Sequence, residues 1–138
     1  MDDSHQIVRE ILSEYQYSLP STKPDWPKKI SRAAQYINEH IYDQSLTVKQ
    51  ITGQCFLNGY NFSENFRHFL QLSPINYITT HRLESAKRLL KDHRLKQVPI
   101  VSISMHVGFK SNSAFTTTFK NKIGIPPSVW RKENMAST

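Results

Sequence analysis

Residues 101–131, VSISMHVGFKSNSAFTTTFKNKIGIPPSVWR, decide the fold of this chain. Their apolar side chains recur at three- and four-residue steps, which is the spacing of one buried helix face. The pattern breaks around Gly108 and resumes at Phe115 and Phe119, and a proline followed by an aromatic residue closes it. A short helix, a turn and a second helix form the outline of a helix-turn-helix.

An earlier stretch of the chain repeats this pattern. Matches 52 residues apart pair Val48, Ile51, Thr52 and Cys55 with Ile100, Ile103, Ser104 and Val107. Matches 53 residues apart pair Phe62, Phe66, Arg67, Pro74 and Tyr77 with Phe115, Phe119, Lys120, Pro127 and Trp130. The change of one residue falls in the turn, where an insertion costs least. A plain helical bundle could also give the apolar spacing, but the shared proline-then-aromatic ending favours two helix-turn-helix units.

The remaining elements complete an all-α prediction of about seven helices plus an N-terminal helix. Residues 5–17 have helical spacing, and the proline-rich SLPSTKPDWP that follows is typical of a linker. Thr47 and Ser73-Pro74 are helix-start signals. We therefore predict a helix and linker over 1–26 and a folded domain over 27–138. Within that domain we expect a first helix-turn-helix at 28–72, a linker helix at 74–92 and a second helix-turn-helix at 98–131.

The charge of the chain is unevenly distributed. Residues 1–26 hold two basic and five acidic residues, a net −3, whereas residues 27–138 hold 16 basic and 6 acidic residues, a net +10. Lysine and arginine next to phosphates release condensed counterions, so the basic part is the candidate polyanion-binding part. A merely solvated basic surface would have the same composition.

Other classes of function find little support in the sequence. No apolar run approaches the roughly 18 residues of a membrane span, and the N-terminus is acidic, so we expect a soluble cytoplasmic protein. Cys55 lies alone in an apolar stretch and is expected in the core. The six histidines include no HxH or HxxxH pair. We predict no metal site, cofactor or catalytic site, and no enzyme activity.

HRLESAKRLL (81–90) and residues 101–131 resemble the DNA-binding domain of AraC/XylS-type transcription regulators, over residues 28–131. Residues of the second unit that fit the family pattern are Ile103, Gly108, Phe109, Phe115, Phe119, Lys120, Gly124, Pro127 and Arg131. The first unit departs from it, with Thr52 in place of the usual alanine and Phe56 and Gln71 in place of glycines. A side chain at a turn of positive φ costs on the order of 1 kcal/mol, so we expect the first turn to be strained or altered.

The resemblance implies two recognition helices in major grooves of double-stranded DNA. A linker helix over 74–92 would be about 28 Å long, comparable with the roughly 34 Å pitch of B-DNA. Solvent-facing residues near the start of each recognition helix are expected to contact bases. These are Tyr60, Asn61, Ser63, Glu64 and Arg67 in the first helix and Lys110, Asn112, Ser113, Thr116 and Thr117 in the second. Family members often have arginine where this chain has Glu64 and Thr117.

Flanking basic residues are candidates for phosphate contacts: Lys49, Lys96, Lys120, Lys122 and Arg131. Arg82 and Arg88 are expected instead to brace the linker helix against the two units. The phenylalanines have helical spacing, which favours core packing over base stacking.

Full-length relatives of this kind usually carry a separate sensing or dimerisation domain. The 26 residues before Pro27 are too few to form one, so we expect a C-terminal fragment, with a short stand-alone regulator as the alternative. The resemblance also implies RNA polymerase as a partner and dimerisation through the missing domain. Two rival functions stay open: a protein-interaction module or anti-regulator with the same fold, and a non-specific nucleic-acid binder.

Overall fold

The computed structural model describes residues 3–55, 57 and 61–135, and all regular structure in those residues is helical. The α-helices are α1 (Ser4–Tyr17), α2 (Lys28–Glu39), α3 (Val48–Gln54), α4 (Phe62–Leu70), α5 (Pro74–Lys91), α6 (Ile100–His106), α7 (Asn112–Ile123) and α8 (Pro127–Asn134). A 3-10 turn, His93–Leu95, follows α5. The all-α class, the two helix-turn-helix units and the long helix between them are confirmed.

The internal repeat of the sequence is also a repeat of the structure. Helices α3 and α6 begin and end 52 residues apart. Phe66 and Tyr77 pack edge to face with ring centroids 5.7 Å apart, and Phe119 and Trp130 repeat that contact at 6.2 Å. The proline-then-aromatic ending therefore marks the point in each unit where the following helix packs back on the recognition helix.

Local side chains fix where α3 and α5 begin. Thr47 Oγ1 accepts a hydrogen bond from Gln50 N at 3.1 Å, and Ser73 Oγ accepts one from Asn76 N at 3.2 Å. Pro74 occupies the first turn of α5, where its missing N–H has no helical partner to lose. These caps satisfy amide groups that a helix start leaves unpaired, and they confirm the predicted starts.

Two hydrophobic cores share the linker helix. The first core holds Ile37, Ile51 and Phe66 with Tyr77 and Ile78, which lie near the start of α5. The second core holds Phe115 and Phe119 with residues from the second half of α5, namely Leu83, Ala86, Leu89 and Leu90. Each helix-turn-helix unit is thereby built on its own part of α5.

The N-terminal segment is packed, in contrast to the helix and linker expected before the domain. Val8 and Leu12 of α1 are buried in the second core, and Tyr15, Leu19 and Trp26 are buried in the first. The apolar spacing over 5–17 indicated a helix but could not show what the helix covers. The segment between α1 and α2 is rich in proline, but its Leu19 and Trp26 are nevertheless buried in the core.

One close contact joins the two units at the middle of the molecule. Arg82 of α5 is buried, and its guanidinium donates to Ile41 O and to Asp43 O, both at 2.7 Å, where the first unit leaves α2. Gly108, in the turn of the second unit, has φ +102°, and a Cβ there would lie 2.8 Å from Arg82 Cζ and 2.9 Å from Tyr42 O. The glycine therefore provides both the turn and the space for Arg82.

The expected strain in the first unit is present at Gln71. This residue follows α4 with φ +73°, and its counterpart Gly124 follows α7 with φ +103°. Both are left-handed helix ends of the kind that glycine adopts without steric cost. The first unit therefore has glutamine where its own repeat has glycine. The other departure noted in the sequence, Phe56, lies outside the described residues.

Candidate nucleic-acid interface

Helix α7 has a clear division between a buried and an exposed face. Phe115 and Phe119 are fully buried. The predicted base-contacting residues lie on the other side: Lys110, Asn112, Ser113 and Thr117 are exposed, and Thr116 is partly buried. Ser111 caps the helix by accepting a hydrogen bond from Ala114 N at 3.0 Å. The start of α7 thus presents amide, hydroxyl and methyl groups on a fixed backbone.

Helix α4 has the same division but begins later. Phe62 and Phe66 are buried, and Ser63, Glu64 and Arg67 are exposed. Asn61 was predicted on this helix, but it is the residue before it, with a left-handed φ of +64° and no side-chain capping bond. Tyr60 lies outside the described residues. Asparagine is one of the few residues with a side chain that adopt this conformation readily.

The two recognition helices are consequently unequal in length. Helix α7 has 12 residues and α4 has 9. Under the 53-residue offset that aligns their phenylalanines, α7 begins one turn earlier than α4. The repeat in the sequence predicted equivalent helices, because it aligns side chains and carries no information on which backbone forms the first turn.

Among the phosphate candidates, Lys49, Lys96, Lys120 and Lys122 are exposed. Arg131 differs from these lysines, because it is partly buried and its guanidinium already has partners within the protein. Its Nη1 donates to Val98 O at 2.7 Å, its Nη2 donates to Leu95 O, and its Nε is buried without a hydrogen-bond partner. Burial lowers the pKa of its guanidinium. Arg131 thus ties α8 to the segment between α5 and α6, where Leu95 O also accepts from Val98 N at 2.9 Å.

The bracing role expected of Arg82 is confirmed by its two carbonyl contacts. Arg88 lies over the ring of Tyr15, 5.0 Å from the centroid, so it braces α5 against α1 rather than against a helix-turn-helix unit. Cation–π contacts of this kind contribute about 0.5–1 kcal/mol at exposed sites. Both arginines therefore serve the scaffold that holds the two recognition helices.

The rest of the described chain offers no competing chemistry. Cys55 is buried as predicted, and burial raises the pKa of its thiol, which disfavours the reactive thiolate. Histidine, cysteine and carboxylate side chains form no metal-binding group within residues 3–55, 57 and 61–135. None of the helices in those ranges has the length and apolar character to cross a bilayer.

Comparison with known proteins agrees with this geometry. Residues 54–133, more than half of the chain, match the family model described as a helix-turn-helix domain. The arabinose operon regulatory protein of Escherichia coli K12 is 29% identical over 111 residues, covering 80% of this chain and 37% of that protein. The melibiose operon regulatory protein of the same organism is 32% identical over 110 residues, covering 75% of this chain and 35% of that protein.

Among solved structures, the C-terminal domain of AraT, a response regulator from Geobacillus stearothermophilus, is similar with a TM-score of 0.73 at 28% identity. The match covers 82% of this chain and 91% of that domain. The chain spans little more than a third of the length of these two operon regulatory proteins. This chain belongs to the AraC/XylS family of helix-turn-helix transcription regulators.

Proposed function

We propose that this chain binds double-stranded DNA sequence-specifically, with α4 and α7 in two successive major grooves, and thereby regulates transcription. One observation carries the proposal: two helices of one fold expose polar faces, and each shares a hydrophobic core with a different half of a single linker helix. That helix has 18 residues, so it is about 27 Å long at roughly 1.5 Å per residue. A length near the pitch of B-DNA suits contacts on one side of the duplex.

The two helices would contribute differently to specificity. Helix α7 offers the Asn112 amide, which can pair with adenine, and the Thr117 methyl, which suits thymine. Helix α4 offers Arg67, which can pair with guanine, and Glu64, which can accept from cytosine N4. Because Glu64 also repels phosphates, we infer that α4 adds less affinity than α7.

The test is selection of binding sites from random DNA with the full chain, followed by affinity measurements at two salt concentrations. We expect an enriched sequence bound at least about 1,000-fold more tightly than random DNA. Lys120→Ala should lower the affinity for every sequence and reduce the salt slope by about 1. Lys23→Ala is the matched control, since it removes the same charge from the segment between α1 and α2 and should change neither quantity.

The acidic Glu64, exposed in the first turn of α4, favours one rival, a protein-interaction module with little DNA binding. That reading predicts no enriched sequence and an unchanged affinity for DNA in Lys120→Ala. A non-specific binder would instead show affinity that follows salt but not sequence.

The proposal includes a location in the cell and two partners. The names of the curated relatives refer to regulation of operons, which supports an action in the bacterial cytoplasm with RNA polymerase as a partner. Dimerisation through a further domain would place two such chains on one operator. Sedimentation and transcription assays with the gene's full product test these two points.

A further inference from the structure

We propose that α1 is a brace that fixes the separation of the two recognition helices, and so determines which spacing of DNA half-sites the protein accepts. The inference rests on the proposed function, because spacing matters only if both helices bind DNA. Its basis is that α1 is hydrogen-bonded to the first unit and to α5 and also lies in the core of the second unit.

The apolar face of α1 spans both cores. Val8 and Leu12 are buried among residues of the second core, and Tyr15 is buried among those of the first. Helix α1 lies along α5 and also contacts the 3-10 turn that leads into the second unit. One helix thus covers the junction of the two units from outside.

Hydrogen bonds fasten the end of α1 to the first unit and the linker helix. Gln16 Nε2 donates to Asn38 O at 2.8 Å and to Glu39 O at 3.2 Å, which are carbonyls at the end of α2. The Tyr15 hydroxyl forms a 2.8 Å hydrogen bond with Nδ1 of His81. Tyr42, just after α2, donates from its hydroxyl to Leu12 O at 3.1 Å. Helix α1 is therefore held by hydrogen bonds as well as by apolar packing.

Among the described elements, no helix of the first unit makes an extensive contact with a helix of the second. Outside their own unit, α4, α6 and α8 make their extensive contacts with α5. At the junction, Arg82 of α5 and the Tyr42 carbonyl of the first unit lie against Gly108 of the second. Long helices such as α5 are rarely straight. Because α1 packs alongside α5, it opposes bending of α5 between the two units.

DNA duplexes that differ in half-site spacing measure this role. One base pair inserted between the half-sites moves the second by about 3.4 Å and rotates it by about 35°. The probes are the selected site, the same site with one or two base pairs inserted or removed, and a single half-site. The variant Val8→Ser/Leu12→Ser loosens α1 from the second core, and Glu14→Ala, on the exposed face of α1, is its matched control.

We expect the unmodified chain and Glu14→Ala to lose affinity at least about tenfold for each altered spacing. The double serine variant should bind the single half-site within about twofold of the unmodified chain but show less than about threefold difference between spacings. If its spacing profile equals that of the unmodified chain, while hydrogen exchange shows that α1 is released, the inference is overturned. If the unmodified chain binds no duplex specifically, the proposed function itself fails.

Should the serine variant lose cooperative unfolding, Tyr15→Phe/Gln16→Ala takes its place, because it removes hydrogen bonds without opening a cavity in a core. This variant should also reduce the difference in affinity between half-site spacings, and its affinity for the single half-site should stay unchanged. An unchanged profile in this variant, with faster exchange of the α1 amides, would also overturn the inference.

Discussion

Replacing Gln71 by glycine should stabilise the protein. Its backbone has φ +73°, a conformation that costs a residue with a side chain about 1–2 kcal/mol. The substitution removes that cost. It also removes an exposed hydrogen bond from Gln71 Nε2 to His68 O at 3.3 Å, worth about 0.5 kcal/mol, and gives the unfolded chain some additional freedom.

The net expectation is a gain of about 0.5–1 kcal/mol in the free energy of unfolding. For a domain of this size that raises Tm by about 2–4 °C. The measurement is urea and thermal unfolding followed by circular dichroism, with the slope against urea checked for constancy so that the shift in midpoint reports stability.

The internal repeat supplies the matched control, Gly124→Gln. Gly124 has φ +103°, and a Cβ placed there would meet no heavy atom within 4 Å, so the backbone conformation is the main cost of the substitution. We expect a loss of about 1 kcal/mol. The reasoning is refuted if Gln71→Gly is destabilising while Gly124→Gln is neutral.

Three further predictions follow from contacts already described. Gly108→Ala should lower the free energy of unfolding by about 3 kcal/mol, because the new Cβ would lie 2.8 Å from Arg82 Cζ and the backbone has a positive φ. The measurement is the urea midpoint, and a midpoint equal to that of the unmodified chain would contradict the close contact at Gly108. Arg131→Ala should cost about 2–3 kcal/mol of stability, because it removes two charged hydrogen bonds to the carbonyls of Val98 and Leu95, yet it should leave the salt slope of DNA binding unchanged. Lys120→Ala should lower the salt slope and leave stability unchanged. A reduced salt slope for a folded Arg131→Ala protein would show that Arg131 contacts phosphate. Burial lowers the pKa of His81 in the folded protein, so the unfolded chain binds a proton at this residue more readily. Stability should therefore fall as the pH drops below about 6.5. The difference between the urea midpoints at pH 7.5 and 5.5 should be smaller in His81→Gln than in the unmodified chain, and an equal difference would exclude His81 as the cause.

The repeat explains why so much of the fold could be predicted from the sequence. Equal spacing at 52 and 53 residues located both helix-turn-helix units, and the caps at Thr47 and Ser73 located helix starts. These signals are local, since a cap or an apolar stripe depends on residues a few positions apart. The strained end of α4 at Gln71 could be predicted for the same reason.

Features that depend on distant parts of the chain could not be predicted in this way. The spacing of Val8 and Leu12 indicated a helix but not the core that buries it. Arg131 was predicted to contact phosphate because it is a basic residue that flanks a recognition helix. Only the fold shows that its guanidinium donates to the carbonyls of Leu95 and Val98. The later start of α4 depends on the backbone at Asn61, which the repeat does not describe. Within the described residues, then, the faces of the candidate interface were predictable, but its supporting contacts were not.

The contact between Arg82 and Gly108 also limits how this family of domains can be recombined. By its architecture alone, an exchange of the second unit with that of another regulator requires only a cut within the linker helix. The incoming unit must nevertheless bring a residue without a side chain to position 108, because Arg82 fills that space from the other half. Chimeras should therefore be chosen by compatibility at this contact before their recognition helices are considered, and libraries of hybrid regulators should be partitioned by the residue that faces Arg82.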